Sequence, residues 1–431
     1  MNKLHEWSFV LVSKSPLRIG TDDDELLLDD DGRPFLPGTS WAGACRAYML
    51  SLDKSYEELF GTQGTGGIQH GSRLMFSDGI CITPQPFEIR PRVHLDRATK
   101  TVHEEKFDQM TVAAGARFKV KLTLRARNDS DKDRVEFMLN ALHHGLIRLG
   151  AYKSTGGGRV EITDGQYVCY DFSNPEDLEA FVEQSKSGKS WTVTSWSPEF
   201  AVGSDFMNME IEGELVSPLL IAGQYPHDSG KPDRTPIQSM HEGQSRYIIP
   251  ATSFKGALRH QVARIIRTLS VKPELEDHIF NGRIMLEDIV LKEPKTKIYH
   301  RIAINPITGG YKDGALVEEE TVSGKFTFSL KLKYDDQSVE DRAAAALLLF
   351  ALRDFAAGRQ TLGSGQGIGR GRVRLSRLKM SHKSKIHGDR TAEIVFGKRC
   401  VEDPDKWLVN LQEALDCSVV REGVADEDNA S

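Results

Sequence analysis

The chain repeats itself, and that repeat limits the fold more than any other feature of its 431 residues. "SPLRIG" (15–20) returns as "SPLLIAG" (217–223), and "PFLPGTSWAGACRAYM" (34–49) returns as "YIIPATSFKGALRHQV" (247–262). "GSRLMFSDGI" (71–80) returns as "NGRIMLEDIV" (281–290), and "LGAYKSTGGGRVEI" (149–162) as "LGSGQGIGRGRVRL" (362–375). One such match is weak; matches that keep their order through both halves mark tandem copies of one domain. The length also exceeds what one ordinary core absorbs.

Each copy reads as β-α-β followed, after an insertion, by β-α-β. In the first, "EWSFVLVS" alternates like a half-buried strand. "TSWAGACRAYMLSLD" is a helix with Thr39 or Ser40 as its N-cap. "RLMFSDGICI" and "RFKVKLTLRA" are strands, "RVEFMLNALHHGLIRLG" is a second helix ending at Gly150, and a glycine-rich loop leads into the strand "GRVEI". That order predicts an α+β chain of two tandem ferredoxin-like (RRM-like) domains with long hairpin and loop insertions. The predicted boundaries are 1–172 and 207–380 for the domains, with 173–206 as a linker carrying the short helix "PEDLEAFVEQSKS". Residues 381–431 form a C-terminal extension with one helical pattern, "DKWLVNLQEAL", and a disordered acidic tail.

Composition narrows the function classes. Hydrophobic residues make 39% and charged residues 27%, the balance of a soluble globular protein. No window approaches a membrane span and "MNKLHEWSFVLVS" has no signal-peptide core, so the expectation is a cytoplasmic protein without a membrane partner. Cys45, Cys81, Cys169, Cys400 and Cys417 are scattered with no CxxC, as reduced structural thiols are. A net charge of −6 argues against a free-standing nucleic-acid binder. The cations are segregated, however, around 90–106, 117–134, 255–267 and 359–386, so one surface can be basic on an acidic chain.

The densest cationic run is "RQTLGSGQGIGRGRVRLSRL" (359–378). It fits neither a dinucleotide fingerprint nor a P-loop, and it runs from helix into strand, the reverse of both. Two readings remain, a loose turn with solvated arginines or a backbone pressed against phosphates. Because the loop occurs in both copies, Gly156, Gly157 and Arg159, and Gly367, Gly369, Arg370 and Arg372, are candidate nucleic-acid contacts. Glycine lets the backbone approach and arginine supplies charge. Lys255 and Arg259 lie four apart on one helical face near an N-terminus, whose dipole favours anions. Arg46 corresponds to Arg259. The blander reading of all three is solvated charge on a surface helix.

The strand ending in "SPLRIG", the polar loop, "PGTS" or "PATSFKGALR" opening a helix, and the terminal glycine-rich loop together resemble the RAMP superfamily. Within it the match is to backbone subunits of type III CRISPR effector complexes, and two fused domains resemble the tandem subunit of type III-D systems. The resemblance covers roughly 5–165 and 207–380, the first copy departing at Trp41-Ala42-Gly43. It implies RAMP domains, a CRISPR guide RNA, a target single-stranded RNA and other effector subunits as partners. It also implies that an aspartate in the loop before the first helix cleaves the target.

The two loops are "TDDDELLLDDDGRPFLPGTS" (21–40) and "QYPHDSGKPDRTPIQSMHEGQSRYIIPATS" (224–253). Counting back from "PGTS" and "PATS" gives Asp23 and Asp233, with Asp22 and Asp24 as alternatives in the first copy. Runs of aspartate also serve as plain turn formers. RNA brings its own nucleophile, the 2′-OH, so a lone carboxylate suffices as general base or as one ligand of a divalent cation, Mg²⁺ by its oxygen preference. No set of metal ligands is identifiable. Histidine is the competing catalyst: His143 and His144 sit on a predicted helix, while His94, His103, His241 and His300 have no counterpart in the other copy. The insertions 90–118 and 299–326 correspond to the family's thumb, a hairpin that wedges into the guide–target duplex. A silent guide-RNA scaffold and a guide-processing nuclease are the other functions compatible with this pattern.

Overall fold

The computed structural model describes residues 3–20, 25–62, 70–84, 87–92, 107–184, 188–191, 206–223, 230–241, 243–312, 316–384, 388–397 and 400–419. They form two compact units, one holding most of the first copy and the other most of the second. In the first, the order is β1 (Lys3–Ser13), α1 (Gly38–Leu52), β2 (Leu74–Phe76), β3 (Arg117–Ala126), α2 (Ser130–His143) and β4 (Val160–Asp171). In the second it is β5 (Phe206–Leu215), α3 (Ala251–Leu269), β6 (Ile284–Leu286), β7 (Val317–Lys333), α4 (Val339–Ala356) and β8 (Val373–Ser384). The antiparallel sheets run β4-β1-β3-β2 and β8-β5-β7-β6. Each is the ferredoxin-like order, with its first strand central, so the chain is α+β and twofold as its sequence predicts.

The local reasons are legible in burial. β3 alternates exposed and buried residues except at buried Thr123, the signature of a sheet with one face on the core. α1 buries Trp41, Cys45 and Met49, and α3 buries Phe254, Leu258 and Val262 at the matching positions. The four-residue spacing lines one face of each helix. Cys45 is fully buried and its thiol is pushed up to about 12, an inert packing residue.

The structure corrects several sequence expectations. Neither Thr39 nor Ser40 caps α1. The cap position is Pro37, and the first free amide, Gly38 N–H, donates to Asp78 Oδ1 at 2.7 Å. In the second copy Ala251 N–H donates to Asp288 Oδ1 at 2.9 Å. Both aspartates come from the repeated strand segment, so a carboxylate distant in sequence does the work of a local cap. α2 ends at His143, before Gly145 at φ +71°, rather than at Gly150. The segment 173–206 carries its expected helix (Pro175–Glu183) and, beyond that expectation, an edge strand (Lys189–Trp191) that pairs with β4. The C-terminal extension adds strand Gly388–Val395 to β8 and a helix, Trp407–Asp416, that packs on α4. That helix explains why Ala343 to Leu348 of α4 are buried without interruption, as happens only when a helix is covered on every side. Residues 420–431, expected to be disordered, lie outside the described residues.

An ion pair on a buried aspartate also recurs. Arg73 donates to Asp131, and Arg283 donates to Asp341, tying the second core strand to the start of the second helix. Burial alone would raise the Asp131 carboxyl, but hydrogen bonds from Arg73 and the Arg127 amide outweigh it and hold it below its usual 3.8. A carboxylate with a depressed native pKa stabilises the fold fully above its unfolded pKa and loses that contribution as pH falls through the native one. Thermal melting of the full chain should therefore drop below about pH 4. Asp131→Asn should flatten that acid limb and cost about 3–5 kcal/mol at neutral pH. Equal acid slopes in the two proteins would exclude the pair as the cause.

Candidate nucleic-acid interface and acidic loop

Each glycine-rich loop is pinned to the Ser-Pro step that follows the first strand of its copy. Ser15 Oγ accepts from Arg159 N–H at 2.9 Å and Ser217 Oγ accepts from Arg372 N–H at 2.9 Å. Gly158 N–H donates to the Pro16 carbonyl and Gly371 N–H to the Pro218 carbonyl, both at 2.9 Å. A Cβ on Gly158 would lie 1.9 Å from the Leu149 carbonyl oxygen, and one on Gly371 would lie 1.8 Å from that of Leu362. These glycines, both at positive φ, are demanded by packing inside the domain.

The candidate glycines behave differently in the two copies. Gly156 and Gly157 are buried, whereas Gly367 and Gly369 are exposed with nothing within 4 Å of a built Cβ. Gly369 still has a conformational reason, φ +82°. Gly367 has none inside the fold.

The candidate cations divide by what they touch. Arg46 donates to the Gly61 carbonyl at 2.6 Å and to Glu57 at 3.2 Å, and Arg259 pairs with Glu276 and, at 2.8 Å, with Asp277. Each copy thus uses this arginine to hold α1 or α3 to the short acidic helix that follows it. Lys255 is half-buried, and burial followed by the Arg259 charge lowers its pKa. Arg159 pairs with Glu161 at 3.5 Å. Arg370 is buried against Glu319 at 2.6 Å with Tyr299 stacked at 5.0 Å, so its side chain turns inward. Arg372 is exposed.

Of the second-copy acidic loop, 230–241 and 243–253 are described. Asp233 is exposed, and its Oδ2 accepts from Glu318 N–H of β7 at 2.8 Å. The next residue is stitched to the same strand: Arg234 N–H donates to the Glu318 carbonyl at 3.1 Å, and Glu320 N–H donates to the Arg234 carbonyl at 2.8 Å. Glu319, between them, is buried and accepts from Arg234 at 3.4 Å, Arg301 at 3.3 Å and Arg370 at 2.6 Å. Burial pushes its carboxyl up, but the arginines prevail and hold it below its usual value. His300 Nδ1 lies 3.1 Å from Glu318 Oε1.

Asp22, Asp23 and Asp24 lie outside the described residues, as do His94 and His103. By chain position, three residues before the matched bridge residues Leu26 and Pro236 stand Asp23 and Asp233. His143 Nδ1 accepts from Ile162 N–H at 3.2 Å, which makes it a structural histidine. Among the described residues no group of three or more His, Cys, Asp or Glu side chains could hold a metal. Asp233 stands beside arginines, so these residues alone do not make a cation cage.

Sequence reasoning missed Arg234, Arg301 and Glu319, because nothing in a sequence pairs Arg234 with a residue 85 positions away. It also passed over Gly43 and Gly256. These are exposed glycines at matching helix positions with nothing within 4 Å of a built Cβ. A helix glycine costs about 1 kcal/mol relative to alanine, and the packing offers no return for it. That signal was readable: both stand in the repeated "AGA" and "KGA". The second-copy hairpin carries an apolar tip, with Ile302, Ile304, Ile307, Tyr311 and Leu316 all exposed. Of the first-copy hairpin, 93–106 lie outside the described residues. The glycine split is testable by thermal denaturation. Gly371→Ala should cost on the order of 3 kcal/mol or more, while Gly367→Ala should stay within about 0.5 kcal/mol of the parent.

Among the described residues no helix is long and apolar enough to cross a membrane. The chain is 24% identical over 186 residues to the CRISPR system Cms endoribonuclease Csm3 of Methanocaldococcus jannaschii, a match covering 36% of this chain and 74% of that protein. The RAMP superfamily profile matches twice, over residues 10–161 and 212–374, one match in each copy. Two complete β-α-β-β-α-β cores, each with its glycine loop pinned to a Ser-Pro step, and a profile that spans most of the chain establish that this protein belongs to the RAMP superfamily.

Proposed function

We propose that the chain is a guide-RNA-binding backbone subunit of a type III CRISPR ribonucleoprotein, one that cleaves complementary target RNA through the aspartate loop preceding the first helix of each domain. Membership in the RAMP superfamily and the likeness to a CRISPR endoribonuclease support the class. The observation that carries the cleavage reading is Asp233: an exposed carboxylate with one oxygen clamped by the Glu318 amide. Its other oxygen is engaged by no hydrogen bond among the described residues. A fixed, half-satisfied carboxylate is what a general base toward a 2′-OH requires.

The guide strand is assigned to the α1 and α3 faces and the glycine loops. Gly43 and Gly256 let a phosphate backbone lie close to each helix, next to the half-buried Lys255 in the second copy. Exposed Gly367 and Arg372 present amide and guanidinium donors. The apolar tip of the 299–326 hairpin suits a wedge between stacked bases. A Mg²⁺ carried on the RNA phosphates would take at most one oxygen from this loop, that of Asp233, the rest of its shell being water and phosphate. The partners under this reading are guide RNA, target single-stranded RNA and further effector subunits, in the cytoplasm.

The cleavage reading is tested on a matched, end-labelled target with the assembled complex. Asp233→Ala should erase one product and Asp23→Ala another, each rate falling by on the order of 10²–10⁴ with target binding intact. If Asp22→Ala or Asp24→Ala alone removes the first-copy product, the register shifts and the mechanism stands. If every product survives all four substitutions, the chain is a silent scaffold. The guide-binding assignment has its own test. Gly43→Ala and Gly256→Ala should each stabilise the free chain by about 1 kcal/mol yet weaken guide-RNA retention. Retention that is unchanged or improved would refute it.

A further inference from the structure

We propose that Arg234 and Arg301, braced on the buried carboxylate of Glu319, grip the non-bridging oxygens of a single target-RNA phosphate beside Asp233, making the second-copy loop the faster of two unequal cutters. The inference rests on the cleavage reading above and goes further, naming the groups that bind the reacting phosphate.

Three segments send a guanidinium to one carboxylate: the acidic loop through Arg234, the hairpin through Arg301 and the glycine-rich loop through Arg370. Neutralising a buried Glu319 takes one cation, and Arg370, buried and 2.6 Å away, already does so. Arg234 and Arg301 are surplus to that need. Their side chains are 45% and 47% exposed, and each makes a single long contact of 3.4 Å or 3.3 Å to the carboxylate. A guanidinium has five donors in a planar fork, so most of both forks remain turned to solvent. Bringing like charges together opposes folding unless an anion completes the set. The nearby acids turn to other partners: Asp233 accepts from a backbone amide, and Glu318 lies 3.1 Å from His300 Nδ1. Two forks on a buried brace are the arrangement that recognises a phosphodiester.

Position follows from the backbone. Asp233 and Arg234 are consecutive and are both stitched to 318–320 of β7, and Arg301 ends the strand paired alongside it. A phosphate held by the two arginines would place its neighbouring 2′-OH toward Asp233. In the reaction the 2′-oxygen attacks phosphorus, the P–O2′ bond forms and the P–O5′ bond breaks. The 2′-OH proton passes to Asp233 and, through solvent, ends on the departing 5′-oxygen. Products are a 2′,3′-cyclic phosphate and a 5′-hydroxyl, with no co-reactant consumed. Negative charge on the non-bridging oxygens grows toward the transition state, where fixed guanidinium charge acts most strongly.

The first copy keeps an arginine in the hairpin strand, Arg92 in register with Phe107 as Arg301 is with Val317, but among its described residues the carboxylate brace is missing. Three residues before the bridge residues Val112 and Val322 stand Gln109 and Glu319, and buried Gln109, an uncharged amide, donates to Tyr152 Oη at 2.8 Å. Gly157 stands at the position of Arg370, and Asp24 at that of Arg234.

The test uses the full chain assembled with guide RNA and its partner subunits, with both cuts on one target strand read in the same lane. In the parent complex the Asp233-dependent cut should be the faster. Arg234→Gln and Arg301→Gln should each slow it about 10²-fold while leaving the Asp23-dependent cut, guide retention and melting temperature unchanged. Arg234→Lys and Arg301→Lys should recover part of the rate, keeping the charge without the fork. A single stereodefined phosphorothioate at that phosphate should be cut with isomer discrimination in the parent and without it in the glutamine variants. The proposal falls if Asp233→Ala abolishes the cut while both glutamine variants keep its rate and its thio discrimination. It falls equally if the glutamine variants lose both cuts in step with melting temperature, which is the mark of a purely structural brace. If Asp233→Ala has no effect, the cleavage reading itself has failed and the clamp fails with it.

Discussion

Between Gly371 and the carbonyl of Leu362 there is room for a hydrogen atom and nothing larger, and the same holds for Gly158 and Leu149. The rest of each site depends on this contact. It lets the loop after the second helix fold back onto the Ser-Pro step, where Ser15 or Ser217 and Pro16 or Pro218 pin it with two hydrogen bonds. The acidic loop leaves the chain a few residues beyond that same step. One close approach therefore brings the glycine loop and the acidic loop to one end of each sheet, and any side chain at these glycines would push them apart.

Once that frame is built, the domains spend their charges in two ways. The repeated Arg73–Asp131 and Arg283–Asp341 pairs are internal, and they tie the second core strand to the second helix. Arg46 and Arg259 are internal too, holding the first helix of each copy to the acidic turn after it. The cluster around Glu319 is different, because three guanidinium groups meet one carboxylate and two of them stay half exposed. Duplication preserved the frame and released the sites: where the second copy has Glu319 and Arg370, the first has Gln109 and Gly157.

Much of this was legible in the sequence. The repeat, the β-α-β-β-α-β order and the family follow from residues that recur because each copy must close the same core: Trp41 and Phe254, Cys45 and Leu258, Met49 and Val262. The errors share one physical cause. Thr39 and Ser40 look like caps because local rules assume that a helix is capped by its neighbours, yet the acceptors are Asp78 and Asp288. Gly150 looks like a helix stop, yet it has a glycine because a Cβ would lie 2.1 Å from the Arg18 carbonyl, while Gly145 ends the helix. The extension beyond residue 380 reads as one helical pattern with no stated role, and the uninterrupted burial of Ala343 to Leu348 shows that α4 needs it as a cover.

By itself, then, the sequence determined the architecture and the candidate loops, since hydrophobic period, glycine placement and repetition are written along the chain. What only the tertiary structure decided is which charges are spent. Arg46, Arg259 and Arg370 read as free cations in a string of letters, and each is satisfied by a carboxylate that folding brings to it. Gly367 and Gly43 read like the other glycines, and only the space around them separates those that packing demands from those it leaves open. Charge and conformational freedom are set by the nearest atoms, and in a folded chain the nearest atoms are seldom the nearest residues.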